Sequence, residues 1–199
     1  MRSLLKCAVL AGAAALASCS STSWVSTWRA PDAQNLRGEG KVLAVVMTQN
    51  EANRRAAEDA LAKEITTMGG QGVPAYTLIQ NEPTTDEGQA KEILEKAGIG
   101  IIVVMRPTAV TQEISSTPAP STYWYGGYYG YGWGAAYGTG GVDIHTDTIV
   151  HIQTMVYSMK QNKLVWSGQS KTTSPSNVDS LVKELAHATA DEMKKGGLI

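Results

Sequence analysis

The sequence predicts an α/β fold of the α+β kind: a βαβαβ-ββα mixed sheet with helices packed on it. Three observations predict it. Short apolar runs alternate with helical patterns through residues 41–111, the mark of strand–helix–strand units. Two β-rich runs then flank Lys160-Gln161-Asn162-Lys163 and read as a hairpin. A last amphipathic segment stops at Gly196-Gly197. With 43% hydrophobic and 18% charged residues in a chain of 199, the composition is that of a globular protein.

Residues 1–18 stand apart from the fold. Arg2 and Lys6 form a positive n-region, and residues 8–17 an apolar h-region too short to span a bilayer. The segment ends in Leu16-Ala17-Ser18-Cys19, which resembles the lipobox of bacterial lipoproteins. That resemblance implies cleavage before Cys19 and a covalent lipid on it; no other cofactor is expected. Cys7 leaves with the signal, so no thiol remains for a disulfide or a Cys-ligated metal. Ser20 follows Cys19 rather than Asp, which by the same resemblance implies the inner leaflet of the outer membrane, facing the periplasm. Residues 19–40 read as the lipidated cysteine and a flexible tether. Trp24 and Trp28 interrupt it and are expected to pack on the domain, with the lipid headgroups as the other placement.

The single domain is expected over 41–199. Residues 41–47 suit a strand buried on both faces. Asn50 can cap the next helix, in which Ala57, Leu61, Ile65 and Met68 recur at helical spacing until Gly69-Gly70. Residues 73–79 read as a second strand. Thr84 and Glu87 have capping-box spacing for a second helix, with Ala90, Ile93, Leu94 and Ala97 inward and Gly98 past its end. Residues 99–111 begin as a third buried strand that bends at Pro107. Residues 115–141 read as a Gly/Tyr-rich insertion, 148–159 and 164–173 as the hairpin arms. Ser176 is expected to cap the final helix, whose stripe is Val178, Leu181, Val182, Leu185 and Ala188. Two strand–helix–strand units imply a parallel core, which the hairpin extends antiparallel. The chain has no Phe, so the core is expected to close with Val, Ile, Leu, Ala and Met.

Trp28-x-x-Pro31-Asp32, Lys41-Val42-Leu43 leading to Asn50, Arg54-Arg55-x-x-Glu58-Asp59-Ala60-Leu61 and Val73-Pro74-x-Tyr76 together resemble a family of bacterial outer-membrane lipoproteins of unknown function. The family often places a Gly/Tyr/Trp-rich insertion before a C-terminal hairpin of the Leu164-Val165-Trp166 kind. The resemblance implies compartment and fold and assigns no site. The element order is also similar to the periplasmic modules of penicillin-binding-protein activators and curli-channel lipoproteins, an analogy of fold that leaves function open.

Eight aromatics cluster in one Gly-spaced stretch: Tyr123, Trp124, Tyr125, Tyr128, Tyr129, Tyr131, Trp133 and Tyr137. Flat amphipathic rings on a pliant backbone suit a partner protein or the sugar rings of peptidoglycan. The primary expectation is a non-catalytic, lipid-anchored interaction module of the cell envelope, not an enzyme. Net charge is −1, and −3 without Arg2 and Lys6, which argues against a nucleic-acid partner. The alternative is a metal-binding or hydrolytic protein using Asp143, His145, Asp147 and His151, which share strand parity and so one face. Arg54, Arg55, Glu58 and Asp59 form i,i+4 pairs that read as a self-paired solvated helix face, or as a docking patch. Ser180-x-x-Lys183 matches a Ser/Lys nucleophile spacing, but 15 Ser and 11 Lys make about one such match expected by chance.

Overall fold

The structure, a computed structural model, describes residues 22–79, 87–118 and 142–199. Six strands form one mixed sheet: β1 (Thr22–Arg29), β2 (Lys41–Val46), β3 (Gly72–Pro74), β4 (Ile99–Pro118), β5 (Val142–Ser158) and β6 (Lys163–Thr173). Their order is β1-β6-β5-β4-β2-β3. β2 is parallel to β3 and β4, and the remaining pairings are antiparallel. The mixed sheet with a parallel core is therefore as expected.

Helices α1 (Glu51–Thr67) and α3 (Val178–Lys195) cover one face, where Ala44, Leu61, Val103, Val156 and Leu185 belong to the main core. Helix α2 (Glu87–Lys96) covers part of the other, where its Leu94 clusters with Leu43 and Ile99. The alternation in β2 explains the split, since Leu43 and Ala44 point to opposite faces. Each fully buried Leu or Val contributes about 1.5–3 kcal/mol. Ile99 and Ile101 share parity yet serve different faces. A register shift between Lys41 and Val42, opposite Gly100, reverses the alternation there. Only glycine fits at 100, because a Cβ would strike the Glu39 carbonyl.

Asn50 caps α1 by accepting from the Asn53 N–H, and Gly98 takes φ +74 past α2. β4 carries its irregularity between Pro107 and Ala109 and continues beyond it. Thr84 lies outside the described residues.

Five expectations are corrected. The flexible tether over 19–40 does not extend past residue 21: Thr22–Arg29 is a strand paired with β6, and Ala30, Ala33 and Leu36 are buried. The core is not purely aliphatic: Trp166 is 3% exposed, and Trp24 packs on it edge to face at 5.2 Å between ring centroids. The second strand stops at Pro74, which lacks the N–H that would extend a ladder, and residues 75–77 turn as a 3₁₀ helix. The insertion is flanked by a ribbon, since Gln112–Pro118 pairs with Val142–Thr148 residue for residue. Asn177, not Ser176, caps α3, with Ser180 completing a capping box. Val178 is accordingly 40% exposed, and the buried stripe is Val182, Leu185, Ala186, Ala190 and Met193.

Candidate functional site

In parallel-strand units, ligand sites form outside the carboxyl ends of the strands. Here that end is a crevice of about 770 Å³ lined by Met47, Thr48, Arg54, Glu58, Arg106 and Pro107, among others. β2 delivers Met47 and Thr48, α1 delivers Arg54 and Glu58, and the bend in β4 delivers Arg106 and Pro107.

Glu58 is its centre, and it is fully buried. One carboxylate oxygen accepts the Val46 N–H at 3.3 Å and the other the Tyr76 N–H at 2.9 Å. Burial pushes its pKa above the ordinary value, while the two N–H donors and Arg54, whose Nη1 lies 3.6 Å away, pull it back. Arg54 is itself held by Glu51 through two hydrogen bonds of 2.8 Å. Hydrogen bonds from Arg54 and Arg55 lower the Glu51 pKa to about 2. Beside them, the Tyr76 hydroxyl donates to Asp59 at 2.8 Å, which raises the phenol pKa. The Arg55 guanidinium sits 5.2 Å from the Tyr76 ring centroid. Arg54, Arg55, Glu58 and Asp59 of α1 and Tyr76 of the turn after β3 thus form one joint.

This corrects the reading of a solvated helix face at Glu58, while Arg55 and Asp59 remain exposed and Arg55 pairs along the helix with Glu51. Glu58 turns inward and closes the gap that Pro74 opens at the end of β3. Its helical spacing to Leu61 and Ala62 was the signal in the sequence that places it on the buried side. Chemically, the arrangement is a staple with a cationic border: both Glu58 oxygens are engaged, and Arg106 donates to Gln153 at 2.6 Å. Asp32 at the Trp28-x-x-Pro31-Asp32 motif plays a similar part, pairing with Lys163 of the hairpin at 2.7 Å.

Cys19 and the eight aromatics between Tyr123 and Tyr137 lie outside the described residues. Asp143 and His145 stand in β5 opposite Thr117 and Ser115. Asp147 stands opposite Glu113 and accepts from the Ser174 hydroxyl at 3.1 Å, and His151 lies between Ala109 and Lys171. An extended strand spreads positions 143 to 151 over about 26 Å, so one ion reaches neighbouring positions only. Among the described residues no three His, Cys, Asp or Glu side chains gather as a metal site. The Ser180 hydroxyl is engaged in the α3 cap, donating to the Asn177 carbonyl at 3.0 Å. His187 joins α3 to α1 through Glu64 at 3.3 Å.

No family model matches the chain, and no curated protein matches it. Solved structures with similar element arrangement include the PelC dodecamer from Paraburkholderia phytofirmans, at 12% identity and TM-score 0.42 over 81% of this chain and 91% of that one. Lipoprotein GNA1162 from Neisseria meningitidis is similar at 15% identity and TM-score 0.40, over 78% of this chain and 99% of that one. Likenesses this distant carry no argument about what this chain binds.

Proposed function

We propose that the protein is an outer-membrane lipoprotein, lipidated at Cys19 and facing the periplasm, that works as a non-catalytic binding module through Tyr123, Trp124, Tyr125, Tyr128, Tyr129, Tyr131, Trp133 and Tyr137. The register of the sheet carries this reading. Thr22 pairs with Thr172, Thr172 with Val150, and Val150 with Val110. The first residue of the domain is therefore level with the base of the β4–β5 ribbon, at the same end of the sheet. Cys19 is three residues before Thr22, a reach of about 10 Å. The ribbon beyond β6, seven residue pairs from Gln112 to Pro118, projects about 23 Å in the same direction.

Anchor and aromatic segment thus leave the domain on one side. A partner met by that segment lies at or near the membrane that holds the lipid, an envelope protein ahead of peptidoglycan. With β1 starting at Thr22, the sheet fixes where that residue stands relative to the base of the ribbon. Among the described residues no helix is long and apolar enough to cross a membrane.

Pull-down from envelope extract, with the full chain and with a chain lacking residues 120–140, tests the reading. The full chain recovers a specific protein that the shortened chain loses. Recovery of the same proteins by both refutes the role of the aromatic segment.

A further inference from the structure

A second cavity, of about 800 Å³, lies between α1, α3 and the sheet, inside the range of roughly 300–1,000 Å³ typical of small-molecule sites. Its walls are apolar, with Leu61, Ile65, Ile101, Val103, Ala190 and Met193 among them. Thr189 supplies the one hydroxyl of the lining, and that hydroxyl is buried without a hydrogen-bond partner among the described residues. The opening lies at the amino ends of β2 and β4, where Gly69, Gly70 and Gly98 leave the rim low.

The side-chain charges at this opening have one sign. Arg37, Lys41 and Lys194 line it, and no Asp or Glu does. Arg37 and Lys41 are exposed and carry no ion pair among the described residues, and Lys194 reaches Asp191 only at 4.0 Å. The carboxyl ends of α1 and α3 face the same opening, each equivalent to about half a negative charge. Three side-chain cations still exceed those two half-charges together with the α-carboxylate of Ile199, which also lines the opening, so the rim stays positive by about one charge.

We propose that this cavity binds a single-chain fatty carboxylate, its chain between the helices and the sheet and its carboxylate at Arg37 and Lys41. An apolar interior under a cationic rim matches that amphiphile and mismatches a neutral or cationic one. The lipid on Cys19 is not the occupant. Thr22 is level with Val110, and the opening is at Gly98, twelve residues or about 40 Å away along β4. The ligand enters from the side turned away from the anchor.

Displacement of a fluorescent fatty acid by palmitate, on the purified full chain, tests this, with hexadecanol as the neutral arm. Palmitate displaces the probe saturably at one site, and hexadecanol does so at least about tenfold more weakly. The exposed double change Arg37→Gln with Lys41→Gln weakens palmitate about three- to tenfold, as loss of two partly solvated charge contacts requires. Ala190→Trp fills the cavity and removes binding, with far-UV circular dichroism reporting its fold. The rim variant keeps the test decisive where Ala190→Trp fails to fold. Absence of saturable binding, equal affinity for hexadecanol, or unchanged binding in the rim variant overturns the proposal.

Discussion

Glu58→Ala removes the acceptor of two backbone N–H groups at once. The Val46 and Tyr76 amides donate to its two oxygens at 3.3 and 2.9 Å, and the side chain is fully buried. A buried donor left unpaired costs about 1–3 kcal/mol. The longer Val46 bond belongs near the lower figure, and water that enters the crevice offsets part of the Tyr76 loss. The expected cost is about 2–4 kcal/mol, a large share of a stability of about 5–15 kcal/mol. Urea unfolding measures it as a fall in midpoint at constant slope. Glu58→Gln keeps one acceptor and turns an NH₂ toward the other amide, so its cost at neutral pH is smaller. The wild-type carboxyl is raised above its ordinary value near 4.5. The folded state therefore binds its proton more tightly, and Glu58 lowers stability progressively as pH rises above about 4.5. That slope is absent in Glu58→Gln. A Glu58→Ala cost below about 0.5 kcal/mol, the range of ordinary surface substitutions, refutes the role of Glu58 in joining β2 to the turn after β3.

Trp24→Ala is expected to cost about 1–3 kcal/mol, part of the usual price of deleting a core aromatic because Trp24 is half-buried. Trp28→Ala, 48% exposed, stays within about 0.5 kcal/mol; equal small effects in urea unfolding would restore a tether. Gly168→Ala drives a methyl into the rings of Trp24 and Trp166, at about 1–3 kcal/mol, and weakens the near-UV circular dichroism of that pair. Glu51, ordinarily near 4.5 and held at about 2 by Arg54 and Arg55, stabilises the fold above pH 4.5 and loses that effect as pH falls toward 2. Added salt reduces its effect because Glu51 is exposed. A Glu51→Gln chain with the same acid limb as wild type contradicts this.

The local signals in the sequence were dependable where one residue's chemistry decides. Asn50 caps, Gly98 takes the left-handed turn, and the 41–46 run is a strand buried on both faces. β1 escaped because its pattern is broken from within. A register shift at Val25 puts Trp24 on the inner face and Trp28 on the outer, although an offset of four positions gives them the same parity. Period-two reading needs an unbulged strand. Its Ser and Thr residues look like a linker because an edge strand keeps much of its surface in solvent. Glu58 escaped for a different reason: two neighbouring arginines make a carboxylate read as surface, and that outweighs its helical spacing to Leu61 and Ala62 until its backbone partners, 12 and 18 residues away, are known. The ribbon flanking the insertion depends on pairing between residues 112–118 and 142–148, which no local pattern announces.

The lipid on Cys19 and its closeness to the sheet are the central claim. Mass spectrometry of the N-terminal peptide, from protein extracted with the membrane fraction, tests it most directly. The expected result is a chain beginning at Cys19 and carrying acyl groups there, with the peptide after residue 21 protected from proteolysis until the domain unfolds. A chain retaining Met1, or an unmodified Cys19, contradicts it.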